Sequence, residues 1–173
     1  FPKQQVTRGD VRLQVSGLSG GRVRDVSFSV HAGEVLGIAG LMGAGRTEVA
    51  RLLFGADPKE SGEIRLDGRV LNVKSPRDAI KAGICLLTED RKAQGLVLIA
   101  SAKDNFALPN LDRWSSAGFI NHRVERFRFV EHVNRLHIRV SDPEQIANNL
   151  SGGNQQKLLV ARWLETESQV VIF

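Results

Sequence analysis

The chain has 173 residues, 42% hydrophobic and 25% charged, which excludes a disordered, collagen-like or coiled-coil chain and suits one globular domain. No apolar run approaches the ~20 residues of a membrane-spanning helix, and the pattern of a secretory signal is not recognisable at the start. The 24 Lys and Arg against 19 Asp and Glu give a net charge of +5, which suits nucleic acid, anionic lipid or phosphorylated ligands, and equally a solvated basic surface. The single cysteine, Cys85, allows no internal disulfide and fits a reducing compartment.

In chain order, Phe1-Pro2-Lys3-Gln4-Gln5 reads as a linker. Val11–Val15 and Val26–Val30 alternate apolar and polar residues, as half-buried strands do. Val35–Ala39 is a near-continuous apolar run, the pattern of a strand buried on both faces. Thr47–Phe54 predicts a helix with Val49, Leu52 and Leu53 on one side. Asp67-Gly68 between Glu63–Leu66 and Arg69–Val73 predicts a hairpin. Ser75 and Pro76 predict the N-cap and first position of another helix, followed by a buried strand at Ile84–Leu87. Val124, Phe127, Val130, Val133 and Leu136 recur every three residues and predict an amphipathic helix with that stripe against the core. Leu158, Leu159, Ala161 and Leu164 mark a further helix, and Val170–Phe173 reads as a buried strand. Both ends look cut, so the chain is expected to be part of a longer one.

Two glycine-rich segments carry chemistry. Gly40-Leu41-Met42-Gly43-Ala44-Gly45-Arg46-Thr47 follows the apolar run and precedes a helix, the setting of a phosphate-binding loop. Glycines admit backbone angles closed to other residues, so that successive N–H groups form a nest for phosphate oxygens beside the positive end of the helix. Thr47 would offer a hydroxyl to magnesium. Arg46 stands where the usual pattern has Lys, keeping the charge but replacing a compact ammonium by a planar fork. The second segment, Leu150-Ser151-Gly152-Gly153-Asn154-Gln155-Gln156-Lys157, also opens a helix, and its hydroxyl and amides can hold an anion.

Together with Glu89-Asp90-Arg91-Lys92, these segments resemble the nucleotide-binding cassette of ABC transporters, in particular the second cassette of tandem ATPases from bacterial carbohydrate importers of the ribose, galactose and xylose type. The resemblance implies an α/β P-loop NTPase with a mixed sheet core, an antiparallel β part and a helical signature subdomain, here over residues 100–160. Residues 1–10 would be the linker from a preceding cassette, and 11–173 the cassette itself up to the Walker B Asp.

The resemblance further implies that Gly40, Gly43, Ala44, Gly45, Arg46, Thr47 and Glu48 hold this cassette's ATP, that Ser151, Gly152, Gly153 and Gln155 meet the ATP of a partner cassette, and that Thr47 and Glu89 serve Mg²⁺. Glu89 stands where the family has a Gln, and Leu18–Asp25 holds no aromatic ring to stack on adenine. The Walker B Asp and catalytic Glu would follow Phe173, so no catalytic residue is expected within the chain, which alone is expected to be inactive. With Arg46 and Glu89 departing from the pattern, this cassette's own site is expected to turn over slowly. Implied partners are another cassette, membrane permease subunits and, indirectly, a periplasmic sugar-binding protein, at the cytoplasmic face of the bacterial inner membrane.

The alternative is a soluble ABC-type ATPase acting on nucleic acid or ribosomes. The Asn-Gln-Gln extension and the lack of a long Lys/Arg-rich insertion oppose it, so no nucleic acid is expected. A nucleotide-binding regulatory module without hydrolysis is a third reading. His31, His122, His132 and His137 show no metal-ligand spacing. Cys85 reads as an inert buried thiol and Trp114 and Trp163 as core or interface residues, whereas Phe106 and Leu108 suit either the core or a permease contact.

Overall fold

The computed structural model describes residues 7–173, so residues 1–6 of the expected linker lie outside the described residues; residues 7–10 form no helix or strand. The chain divides into two compact units, one ending at Leu86 and the other running from Leu87 to Val171.

The first unit is built on an antiparallel sheet. Strands β1 (Val11–Gly20), β2 (Val23–His31), β3 (Ser61–Leu66) and β4 (Arg69–Val70) lie in the order β2-β1-β3-β4. Along β1 the buried apolar side chains are Leu13 and Val15, then Leu18 rather than residue 17. The pairing with β2 shifts between Val15 and Leu18, and Gly17 sits at φ 63, so a bulge restores the inward phase. The Asp67-Gly68 turn joins β3 to β4 with both residues at positive φ, 48 and 76, as a two-residue type I′ hairpin requires.

Helix α1 (Arg46–Leu53) buries Val49, Leu52 and Leu53 as predicted, and a Cβ at Gly20 would lie 2.8 Å from Leu52 Cδ2, which brings sheet and helix into direct contact. Helix α2 (Pro76–Lys81) starts as predicted, with the Asp78 N–H donating to Ser75 Oγ at 3.3 Å. Strand β5 (Ile84–Leu86) follows, with Ile84 and Cys85 fully buried.

Gly62 shows how closely these backbones meet. Its φ is +94, and a Cβ there would lie 2.5 Å from the Gly17 carbonyl oxygen. Gly62→Ala is therefore expected to destabilise the protein by about 1–3 kcal/mol, because the left-handed backbone and the collision act together. A denaturant titration showing a loss under about 0.5 kcal/mol, the scatter of ordinary surface substitutions, would contradict this packing.

One expected strand of this unit is absent. Val35–Ala39 is assigned to no strand, and Val35 is 85% exposed. A strand buried on both faces needs ladder partners at its edges and a layer on each side. Among the described residues nothing pairs with this run, so its apolar side chains remain outside the core.

The second unit is mainly helical: α3 (Ala102–Ala107), α4 (Leu111–Trp114), α5 (His122–Leu136) and α6 (Gly152–Glu165), with a small hairpin of β6 (Ser115–Ser116) and β7 (Phe119–Ile120). Phe106 is fully buried and lies between Trp114 and Phe129, with ring centroids 5.7 and 5.6 Å away; Leu108 is exposed. Helix α5 departs from expectation. Its buried residues are Glu125, Phe129 and His132, whereas Val124 and Val130 are exposed and Phe127 is 68% exposed; only Val133 and Leu136 of the stripe pack partly on the core. Leu164 likewise faces out of α6, in place of Arg162 and Glu165, which are buried. The closing run forms strand β8 (Val170–Ile172), but Val171 and Phe173 are exposed, so the buried strand expected there is only half covered.

Candidate functional site

The first glycine segment forms a compact turn ahead of α1. The Ala44 N–H donates to the Leu41 carbonyl at 3.0 Å, and Gly43 and Gly45 have φ of 81 and 87. Open space surrounds the Cβ positions of both glycines, so a ligand can approach their backbone directly. Gly40 is needed for a different reason: a Cβ there would lie 2.9 Å from that of Ala44.

Gly45 is the N-cap of α1 and offers no side-chain cap, and the Val49 N–H is the first to reach back, 3.0 Å from the Gly45 carbonyl. The amides of the first turn are thus left for a ligand, next to the positive end of the helix dipole. Arg46 and Thr47 are exposed beside them, and Glu48 is half-buried. The helix is braced from below by Arg51, whose Nε and Nη2 each donate to Asp57 at 2.7 Å. That hydrogen bonding holds the Asp57 carboxyl below its usual range.

The second glycine segment opens α6 in the second unit. Ser151 Oγ accepts from the Asn154 N–H at 3.4 Å and from Asn154 Nδ2 at 2.9 Å, which leaves the Gly152 and Gly153 amides ahead of the cap. Nothing lies within 4 Å of a Cβ at Gly153, whereas at Gly152 the guanidinium of Arg91 comes to 2.7 Å. Gln155, expected to face a nucleotide, turns inward and is 2% exposed. Its Nε2 donates to the Ala147 carbonyl at 3.0 Å and its Oε1 accepts from Arg91 Nε at 3.2 Å. The helical repeat puts it three residues from the turn and on the core face, beside Leu158 and Leu159.

Glu89 is exposed at the head of a polar turn in this same unit. Asp90 caps the single wide helical turn that follows, Arg91–Gly95, by accepting from the Lys92 and Ala93 amides at 3.0 Å each. Thr47 and Glu89 therefore belong to different units. No cluster of three or more His, Cys, Asp or Glu that could hold a metal occurs among the described residues.

Sequence reasoning missed the polar interior of the second unit. Arg128 Nε and Nη2 bind the two oxygens of Glu165 at 3.0 and 2.9 Å, and the His132 Nε2–H donates to Glu165 Oε2 at 2.9 Å. Arg113 donates to the Glu165 carbonyl and, at 2.8 Å, to Glu167. Buried Asn105 receives the Val97 amide at 2.8 Å and donates to the Val97 and Ser101 carbonyls, both at 2.9 Å. Arg162 donates to the Gly95 carbonyl from a buried position that pulls its pKa down to about 10. The signal for this interior was the spacing of Glu125, Phe129 and His132 at i, i+4 and i+7, one face of a helix on which two polar residues would otherwise be unwelcome.

An antiparallel sheet carrying a glycine-rich turn at a helix start, and a helical unit whose last long helix opens on Ser-Gly-Gly, are the two parts of an ATP-binding cassette. The chain belongs to the ABC transporter family, which it matches over residues 23–173. It is 46% identical over 99% of its length to the ribose import ATP-binding protein RbsA of Geobacillus kaustophilus, and 51% identical over its whole length to RbsA 3 of Rubrobacter xylanophilus. It spans about a third of these curated relatives, 35% of each. Among solved structures, a dimeric post-hydrolysis state of an ATP-binding cassette bound to ADP and Pi matches with a TM-score of 0.73 at 20% identity, over 92% of this chain and 72% of that one. A nucleotide-free cassette from an ABC transporter matches with the same TM-score of 0.73 at 20% identity, over 94% and 68%. The α/β cassette fold expected from the sequence is thereby shown.

Proposed function

We propose that this chain is a cassette of an ATPase that powers carbohydrate import through a membrane permease, at the cytoplasmic face of a bacterial inner membrane. The observation that carries the reading is the open amide nest of Gly43–Gly45 at the start of α1, in a chain about half identical to ribose import ATP-binding proteins. Gly40, Gly43, Ala44, Gly45, Arg46, Thr47 and Glu48 bind this cassette's own ATP, with Arg46 holding phosphate oxygens and Glu48 contributing through its place in the first turn of α1. Ser151, Gly152 and Gly153 receive the phosphates of a partner cassette's ATP, and Gln155 acts on them from beneath. Thr47 and Glu89 are each a candidate Mg²⁺ ligand. Bound Mg²⁺ would neutralise charge on the phosphate oxygens.

Each glycine turn offers half a cage, so ATP joins two cassettes and its hydrolysis lets them part. Opening and closing would drive the permease, which a periplasmic sugar-binding protein supplies. Arg46 presents a flat fork where transition-state charge calls for a compact cation, so this cassette's own site binds nucleotide but contributes little turnover.

Arg46→Ala removes a charge-assisted contact and is expected to weaken ATP binding at this site by about 1.5–3 kcal/mol. Steady-state ATPase of the full-length protein should fall only modestly. The matching Walker A change in the other cassette should nearly abolish it. Fluorescent-nucleotide titration and sugar uptake in membranes check the pair. Equal and complete loss in both would show two equivalent sites.

A further inference from the structure

Arg91 lies in the Glu89-Asp90-Arg91-Lys92 motif but outside the proposed nucleotide and Mg²⁺ contacts. We propose that Arg91 and Gln155 are a positioning pair that sets the orientation of the Ser151–Gly153 turn, so that its phosphate-receiving amides follow the Glu89–Gly95 turn. This rests on reading Ser151–Gly153 as a phosphate site.

The two segments are joined at two places, both within the second unit. At the first, Arg91 Nε donates to Gln155 Oε1 at 3.2 Å while its guanidinium occupies the space that a side chain at residue 152 would need, 2.7 Å from that Cβ. Gln155 is fixed at its other end by the Ala147 carbonyl, 3.0 Å away, so it cannot follow Arg91 freely and transmits the position of the turn to the helix. At the second, Arg162 donates to the Gly95 carbonyl, and a Cβ at Gly95 would come 3.0 Å from Leu159 Cδ1. Residues 155 and 162 are seven apart, two turns of α6 or roughly 10 Å along its axis. Contact at two points that far apart fixes an angle as well as a distance.

The second contact is buried beside Leu159, while the first joins buried Gln155 to a half-exposed Arg91, two residues from Gly153. Other ties on the helix start, Asn154 Oδ1 accepting from the Arg139 amide at 2.9 Å and Lys157 Nζ donating to the His137 carbonyl at 2.9 Å, run to residues 137–139, so that among the described residues Arg91 makes the hydrogen-bonded link to the Glu89–Gly95 turn at this end.

The test uses the full-length protein with its permease in membranes, following ATPase rate against ATP concentration, with nucleotide binding and thermal unfolding measured on each variant. Arg91→Ala and Gln155→Leu should each lower kcat by roughly 10–100-fold, the cost of a small misplacement of a site. KM for ATP should stay within about twofold, since the ATP that this turn meets is held chiefly by the partner cassette's own phosphate loop. The double variant should be no worse than the worse single one, because both remove one link. Gln155→Glu keeps an acceptor for Arg91 but loses the donor to the Ala147 carbonyl, so its activity should fall between that of Gln155→Leu and the wild type, while Arg91→Lys cannot donate from the Nε position and should resemble Arg91→Ala. If Arg91→Ala fails to fold, these two conservative variants make the same comparison.

Additive losses, a raised KM with kcat intact, or Arg91→Lys indistinguishable from wild type would each overturn the pairing. So would a lowered melting temperature with unchanged turnover. Ser151→Arg is run alongside. If transport survives that change, the phosphate reading itself fails; if transport is lost there while the Arg91 and Gln155 variants behave as wild type, only the pairing fails.

Discussion

Ser151→Arg is expected to abolish ATP-driven sugar uptake by the full-length protein while leaving nucleotide binding to each separated cassette largely intact. Ser151 caps α6 through the Asn154 amide and side chain, and the Gly152 and Gly153 amides stand open beside it. An arginine here removes the cap, worth about 1 kcal/mol, and places a long cation where phosphate oxygens must dock. Gly152→Asp should have the same outcome by a different route. Its side chain would enter the space held by the Arg91 guanidinium, 2.7 Å from the Cβ, and its carboxylate would repel phosphate. Uptake assays in membranes, with ATP-dependent cassette association as a second measurement, check both. Survival of transport in either variant would exclude a head-to-tail ATP sandwich.

The largest effect on stability should come from Glu165→Ala. Glu165 is 2% exposed and accepts from Arg128 through both oxygens and from His132 through one. Its removal leaves an arginine and a histidine facing an empty, mostly apolar pocket. Breaking a buried pair from one side costs about 3–5 kcal/mol. Arg128 is a third exposed and can partly rehydrate, which places the loss near the lower end, about 3 kcal/mol. For a unit of this size that is a fall of roughly 10 °C or more in melting temperature. Trp114, buried in the same unit against Phe106, gives a fluorescence signal for the transition. Glu165→Gln, which keeps one acceptor, should lie between. A loss under about 1 kcal/mol in the alanine variant would mean that the network is replaceable by water.

The parts of the fold that obey local rules were legible in the sequence. Asp67-Gly68 made its turn because both residues tolerate positive φ, and Ser75-Pro76 started α2 because a hydroxyl cap and a fixed φ suit that place. Gly43 and Gly45 were legible for the same reason. The stripe on α5 was not. A step of three advances about 300° round a helix, so Val124, Phe127, Val130, Val133 and Leu136 wind around most of it rather than lining one face. The core took the i, i+4, i+7 set instead, although that set includes Glu125 and His132, because His122 and Glu165 were there to receive them at 2.8 and 2.9 Å. His122 is three residues from Glu125 on the same helix, but Glu165 is 33 positions from His132 on another helix, and one strand of text does not show that partner. The surroundings of Gln155 were hidden in a similar way: its place in the motif suggested a ligand contact, and the Arg91 it meets is 64 positions away. Val35–Ala39 was apolar enough for a core strand, but a strand of that kind is defined by its neighbours.

That uncovered run has a bearing on how the chain behaves at high concentration. Val35, Leu36 and Ile38 are exposed, uncharged and rich in β-branched residues, the composition that adds strands to itself between molecules. Glu34 is the charge that borders it, and a flanking charge of this kind restrains intermolecular strand pairing. The same carboxylate accepts from the His31 amide at 2.7 Å and lies 3.1 Å from an Arg8 nitrogen, which lowers its pKa, chiefly through the backbone bond. One side chain thus shapes the turn that leaves β2 and sets a charge at the head of the run that follows.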